Sequence, residues 1–359
     1  MSRRLEKLRA LLSQHEVDAM LVSSDENRRY MSGFSGSAGY LFITAKAAVL
    51  ATDFRYIEQA GRQAPGFTVQ RIGGSADWLP KLAADHGVQR IGFDSGHMTV
   101  AVHNAYKKAL ESPEAGGKAT LVPTSAVVEK FRAVKDVDEL RLIERASAIT
   151  DEAFEQVAAA IRPGMTEAQV AWELEKAMRE RGAEKLSFDI IVGAGPNGAL
   201  PHHRTDDTVI REGQPVVIDM GCVYEGYCSD LTRTIFVGKP DAKFREVYGT
   251  VLRAQLQAEE KVRVGMTGTQ ADGIAREVIQ AAGHGDDFGH SLGHGVGLEV
   301  HEHPWVSPRA EEALQDNMVF TIEPGIYLSG WGGVRIEDMV VLENGRVRVL
   351  SKASKGEYV

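Results

Sequence analysis

The chain has 359 residues, 43% of them hydrophobic and 25% charged, with a formal net charge of −9. This is an ordinary globular composition on a chain long enough for two domains. The acidic balance and the lack of a long basic run argue against nucleic acid or an anionic membrane as a partner, since both need clustered Lys and Arg.

Two cysteines, Cys222 and Cys228, are too few for a secreted disulfide scaffold. The N-terminal stretch MSRRLEKLRALLSQHEVDAMLV carries charges through its apolar pattern and lacks the apolar core of a signal peptide. No apolar run approaches the ~18–20 residues that span a bilayer. A soluble, cytoplasmic protein is expected.

Residues 1–124 alternate between two periodicities. Leu5, Leu8, Leu11 and Leu12 mark one helical face. Ala19–Val22, Tyr40–Ile43, Ala48–Thr52, Val69–Ile72, Arg90–Phe93 and Thr120–Val122 read as short strands. Helical stretches fall near 54–63, 76–86 and 99–110. This predicts an α/β N-terminal domain. The pattern changes near residue 124, and a long helix begins near Asp136, so a second domain is expected over 125–359.

That second domain contains an internal repeat. IRPGMTEAQV at 161–170 matches VRVGMTGTQA at 262–271, with Arg, Gly, Met, Thr and Gln in register. Thr166 and Thr267 are then N-cap candidates for the helices that follow. Each helix leads to a glycine-rich loop and a strand pair, which predicts a pseudo-twofold domain.

Each strand pair carries two acids. VVIDMGCVYEGYCSDLTRTIFVG at 216–238 reads as a hairpin. The midpoint of Asp219 and Asp230 falls between Tyr224 and Glu225. A hairpin centred there sets the two aspartates opposite each other, with Cβ atoms roughly 4.5–5.5 Å apart. In TIEPGIYLSGWGGVRIEDMVVL at 321–342 the midpoint of Glu323 and Glu337 is Gly330, inside a turn-like SGWGG. Like charges so close repel unless a cation lies between them. In an apolar strand a carboxylate is costly unless it is paired or metal-bound. Four such groups suit two divalent ions. A lone aspartate in one hairpin is usually just solvated; two symmetric pairs in a repeat are not accounted for that way.

Histidines cluster beside these hairpins. His202 and His203 lie in ALPHHR. His284, His290, His294, His301 and His303 lie in GHGDDFGHSLGHGVGLEVHEHP. A lone histidine is usually a satisfied structural residue. Several set among glycines, which let a backbone pass close to a ligand, form a better candidate for metal and substrate contacts. The spacing of His202 and His301 nearly matches the repeat, so they are expected to face each other across a site and hold a substrate carbonyl or its oxyanion.

The strings VVIDMGCVYEGYCSDLTRT, GHSLGHGVGLEVHE, FTIEPGIY and GGVRIED, with Asp219, Asp230, His294, Glu323 and Glu337 in that order, resemble the pita-bread metallopeptidases: methionine aminopeptidase, prolidase and aminopeptidase P. GFSGSAG at 33–39 and TDFRY at 52–56 resemble the creatinase-type N-terminal domain of the short bacterial Xaa-Pro peptidases. The resemblance implies an α+β pita-bread (creatinase/aminopeptidase) catalytic domain behind the α/β domain. It implies that the five residues bind two divalent ions, manganese first, with cobalt or zinc as alternatives. A hydroxide bridging the ions would attack the carbonyl before proline in a di- or oligopeptide. Glu323 would also move the proton as general base and acid. His202 and His301 would orient the scissile peptide. His290, Arg335 and Thr232 would contact substrate or the ligands. A homodimer is the family expectation. Relatives often have a small residue where this chain has His203, followed by Arg204. These two would either contact a carboxylate or stand exposed.

Other patterns carry less. GAGPNG at 193–198 fits GxGxxG, but Ala199-Leu200-Pro201 follows instead of an amphipathic helix. Cys222 and Cys228 are near-opposed in the first hairpin and read as small buried residues. Asp53, Arg55 and Tyr56 form either a structural turn or an approach to an active site, in the partner subunit. Two other functions compete: a creatinase-like hydrolase without metal, which has no use for four clustered carboxylates, and a non-catalytic binding protein, which has no need of all five ligands.

Overall fold

In the computed structural model, which describes residues 2–112 and 119–356, the chain divides into two units, Met1–Arg132 and Ala133–Val359. The first unit runs α1 (Ser2–Leu12), β1 (Ala19–Val22), α2 (Asp25–Ser32), β2 (Tyr40–Thr44), β3 (Ala48–Thr52), α3 (Ile57–Gln63), β4 (Thr68–Arg71), α4 (Trp78–Asp85), β5 (Arg90–Asp94), α5 (Val100–Leu110), β6 (Thr120–Thr124) and α6 (Val127–Ala133). Its six strands form one mixed sheet in the order β4-β3-β2-β1-β5-β6.

α2 is not expected from apolar periodicity, because it buries polar residues. Arg28 donates to the carbonyls of Ser23, Gly36 and Gly39 and pairs with Asp25. Asn27 accepts from Arg132 and donates to Glu129, both on α6. Those bonds keep α6 up to Arg132 with the first unit, so the division falls at the end of α6, eight residues beyond the change of pattern near residue 124. Asp53 and Arg55 pair with each other, and the Tyr56 hydroxyl bonds Ser37, all within the first unit.

The second unit runs α7 (Val137–Ala158), α8 (Glu167–Glu180), β7 (Lys185–Leu186), β8 (Ile191–Ala194), β9 (Gln214–Met220), β10 (Cys222–Tyr224), β11 (Tyr227–Cys228), β12 (Leu231–Val237), α9 (Ala242–Lys261), α10 (Gly268–Ala281), β13 (Gly293–Gly295), β14 (Glu302–Val306), β15 (Val319–Ile322), β16 (Gly325–Leu328), β17 (Gly332–Arg335), β18 (Asp338–Glu343) and β19 (Arg346–Val349). Asp136 opens α7 with a capping box to Glu139.

The repeat is visible in the caps. Thr166 and Gln169 close a capping box on α8, and Thr267 and Gln270 close the same box on α10. Each half builds its own core. Val170, Leu174 and Met178 of α8 pack with α7 residues against Val192, Val216 and Ile218. Ala271, Ala275 and Ile279 of α10 pack with α9 residues against Phe320, Ile322 and Val340. Apolar faces at helical spacing over apolar strands make these two cores the main driving force for the unit. No helix among the described residues is long and apolar enough to cross a membrane.

The first hairpin corrects one expectation. Its turn centres between Glu225 and Gly226, which both take positive φ (45° and 84°), as a two-residue type I′ turn requires. Asp219 therefore faces Thr232, not Asp230. Asp230 sits two residues from Thr232, a diagonal neighbour of Asp219 on the same face. The same register sets the thiols one residue out of line: Cys228 pairs with Val223, and Cys222 bonds Ser229. Both cysteines are free and buried.

The second hairpin keeps the expected register. Ile322 pairs with Asp338 and Gly325 with Arg335, so Glu323 falls opposite Glu337. The ladder opens between those pairs. Glu323 donates its backbone N–H to Leu292 O, and Glu337 donates its own to Thr232 O. The break turns both glutamates toward neighbouring strands, and the bond to Thr232 ties the second hairpin to the first.

Candidate active site

The two hairpins and the segment ahead of the second converge on a cavity of about 310 Å³. Asp219, Asp230, His294, Glu323, Glu337, His202, His290, His301 and Arg335 all line it. Thr232 stands behind its wall and bonds into it.

His294 comes from β13, between two glycines that leave no room for a side chain. A Cβ on Gly293 would strike the carbonyl oxygen of Thr321, and one on Gly295 that of His303. This close backbone approach puts the His294 ring over the acids. Its Nε2 lies 3.2 Å from Glu323 Oε1 and 3.7 Å from Asp230 Oδ2. Among the described residues, ligand atoms of Asp230, His294 and Glu337 lie within 4.8 Å of one another.

The remaining polar atoms are mostly held. Thr232 donates to Glu337 Oε2 at 2.7 Å. Arg335 donates to Thr232 Oγ1 at 3.0 Å, to Tyr327 Oη at 2.8 Å and to Asp219 Oδ2 at 2.6 Å. Tyr327 Oη also meets His290 Nε2 at 2.8 Å. Thr321 Oγ1 donates to Glu323 Oε1 at 3.0 Å. Asp219 Oδ1 is fully buried and no hydrogen bond reaches it among the described residues.

Burial and mutual repulsion set the charge states. Burial, then Glu337 and Asp219, push Asp230 well above the usual carboxylate range. Burial, then Glu323 and Asp219, do the same to Glu337. Burial also raises Asp219, against the pull of Arg335. Burial works to raise Glu323 too, but the hydrogen bond and charge of His294 outweigh it and hold this group at about 2. Burial lowers His301 and His290, the former helped by His294. Among the described residues Asp230 and Glu337 thus have no Arg or Lys ion pair, while Asp219 gives one oxygen to Arg335 and leaves the other orphaned. The donor set, four carboxylates and one imidazole, fits hard or borderline divalent cations.

The structure adds residues that sequence reading did not single out. Tyr327 joins His290 to Arg335; its signal was a tyrosine in the same strand arm as Glu323. Phe188, Asp189, Ile191 and Pro201 form a less charged wall. His203 leaves the cavity and meets buried Glu167, with 2.7 Å between Nε2 and Oε2. GAGPNG ends β8 and forms a 3₁₀ turn over Gly195–Ala199, with no dinucleotide-binding helix after it.

Residues 141–344 match the model of metallopeptidase family M24, and residues 4–134 match the creatinase/prolidase N-terminal domain. An uncharacterised peptidase of Bacillus subtilis is 44% identical over 95% of this chain and 96% of its own length. The structure of an Xaa-Pro dipeptidase from Bacillus anthracis superposes with a TM-score of 0.95 at 41% identity, covering 99% of this chain and 98% of that one. That of an X-Pro aminopeptidase from Thermotoga maritima gives 0.88 at 37% identity, covering 98% and 99%. With the catalytic-domain match over more than half its length and relatives aligned from end to end, this chain belongs to metallopeptidase family M24.

Proposed function

We propose that the protein is a metal-dependent exopeptidase that hydrolyses the peptide bond before proline, with Asp219, Asp230, His294, Glu323 and Glu337 holding two divalent ions. The observation that carries this reading is the buried acidic cluster facing one imidazole, with Asp219 Oδ1 left unbonded. Proline specificity is supported by relatives titled Xaa-Pro dipeptidase and X-Pro aminopeptidase, each matching almost the whole chain. Manganese as the ion, a homodimer and a cytoplasmic location belong to the same proposal and rest on family resemblance.

Bound divalent ions supply acidification of water and polarisation of the carbonyl. The chain's own groups do the rest. Glu323 takes a proton from the attacking water and returns it to the leaving nitrogen. His202 and His301 at the rim hold the scissile peptide and its developing oxyanion. Arg335, Tyr327 and His290 form one chain of bonds that fixes Asp219 from behind. A metal-free creatinase-like reaction gives these four carboxylates no task, and a purely structural role does not explain why Asp230 and Glu337 are buried with no Arg or Lys ion pair among the described residues.

The test compares an Xaa-Pro dipeptide with the matching Xaa-Pro tripeptide, manganese present. Turnover of either, and none of an analogue with alanine for proline, is expected. Cleavage of the dipeptide alone marks a dipeptidase, and cleavage of both an aminopeptidase. Equal turnover of the alanine analogue would contradict proline specificity.

A further inference from the structure

A buried carboxylate outside the acidic cluster grips the turn that carries His202. Glu167, in the first turn of α8, is 0% exposed. Its Oε1 accepts from Ala194 N at 2.7 Å and from Asn197 Nδ2 at 3.0 Å. Its Oε2 meets His203 Nε2 at 2.7 Å and accepts a long bond from Asp206 N at 3.5 Å. A carboxylate this far from water is tolerated only with such partners.

Those partners flank His202. Asn197 O accepts from Leu200 N at 3.0 Å, and Leu200 O accepts from His203 N at 3.0 Å, closing the turn Leu200–Pro201–His202–His203. One carboxylate therefore holds the chain before and after His202. The His202 residue is exposed, and among the described residues its ring makes no hydrogen bond of its own. Its place at the cavity is set by the backbone that Glu167 holds. The second repeat has Gly268 at the matching position, where a Cβ would strike the carbonyl oxygen of Trp305, so the second half has no equivalent grip.

We propose that Glu167 and His203 are positioning residues for His202, acting on turnover through the turn and not through the metal ligands. The proposal rests on the reading of His202 as a group that holds the scissile peptide.

The test is a double-mutant cycle read in kcat, with metal content and melting temperature as controls. Glu167→Gln is expected to lower kcat by about 10-fold with metal content unchanged, as for other groups that orient a working residue. His203→Gly, which leaves the other bonds to Glu167, is expected to give a smaller loss. In the His202→Asn background neither change is expected to lower kcat further. A general structural lesion would multiply in full there, and that result, or full kcat in both single variants, overturns the proposal. Should Glu167→Gln not fold, His203→Gly alone decides on the same terms. Full kcat in His202→Asn itself would instead show the reading of His202 to be wrong, and this proposal would fall with it.

Discussion

Replacing Glu323 with glutamine is expected to lower kcat by about 10²–10⁴-fold, the span of a lost general acid–base. Glutamine keeps the size of the side chain and removes its charge. The backbone bond from Glu323 N to Leu292 O does not depend on the side chain, so the local fold is expected to persist. The loss should fall mainly on kcat, because proton transfer belongs to the transition state and not to substrate binding. Among the clustered carboxylates, Glu323 is the one whose pKa is lowered, because the hydrogen bond and charge of His294 outweigh its burial. Full activity in Glu323→Gln, or in Glu323→Ala, would place proton transfer elsewhere.

Replacing Asp230 with asparagine is expected to act with opposite signs on two measurements. In the metal-free protein it should raise the melting temperature; with manganese it should cut the stabilisation that the ions give. The first effect follows from linkage. Burial, Glu337 and Asp219 raise the pKa of Asp230 in the folded state above its unfolded value. Such a group binds its proton more tightly folded than unfolded. Its favourable contribution is present below the unfolded pKa and is lost as pH rises through the raised one. The gain from asparagine should therefore be larger at pH 8 than at pH 5. In a chain of this size each kcal/mol of relieved repulsion corresponds to about 2–4 °C or less. The second effect follows from mass action, since an ion that binds only the folded state adds stability in proportion to the logarithm of its concentration over Kd. A fall in the metal-free melting temperature at pH 8 would show that the cluster is not under electrostatic strain.

Much of this architecture was legible in the sequence because it rests on short-range rules. Thr166 and Thr267 are recognisable caps, and the matched decapeptides place two equivalent helices. The Glu323–Glu337 register could be read from the turn-like SGWGG that contains their midpoint, Gly330. The centre of the first hairpin lies one residue beyond the midpoint of its two aspartates. The positive φ at Glu225 sets its centre, and a glutamate does not announce a left-handed conformation as glycine or asparagine would. α2 shows no clear apolar periodicity because the polar Asn27, Arg28 and Ser32 share its buried face with Tyr30 and Met31. Tyr327 and Glu167 act through contacts across strands and loops far apart in sequence. The bond from His203 to Glu167 spans 36 positions, and no local pattern encodes it.

The central claim is a two-ion site in the acidic cluster, and a calorimetric titration of the metal-free protein with manganese tests it most directly. The account predicts two ions per chain. Proton release on binding is also expected, because Asp230 and Glu337 hold protons more tightly than ordinary carboxylates and an ion displaces them. Affinity should fall as pH is lowered, and Asp230→Asn should remove at least one of the two binding events. No binding, or the same stoichiometry in Asp230→Asn, would contradict it.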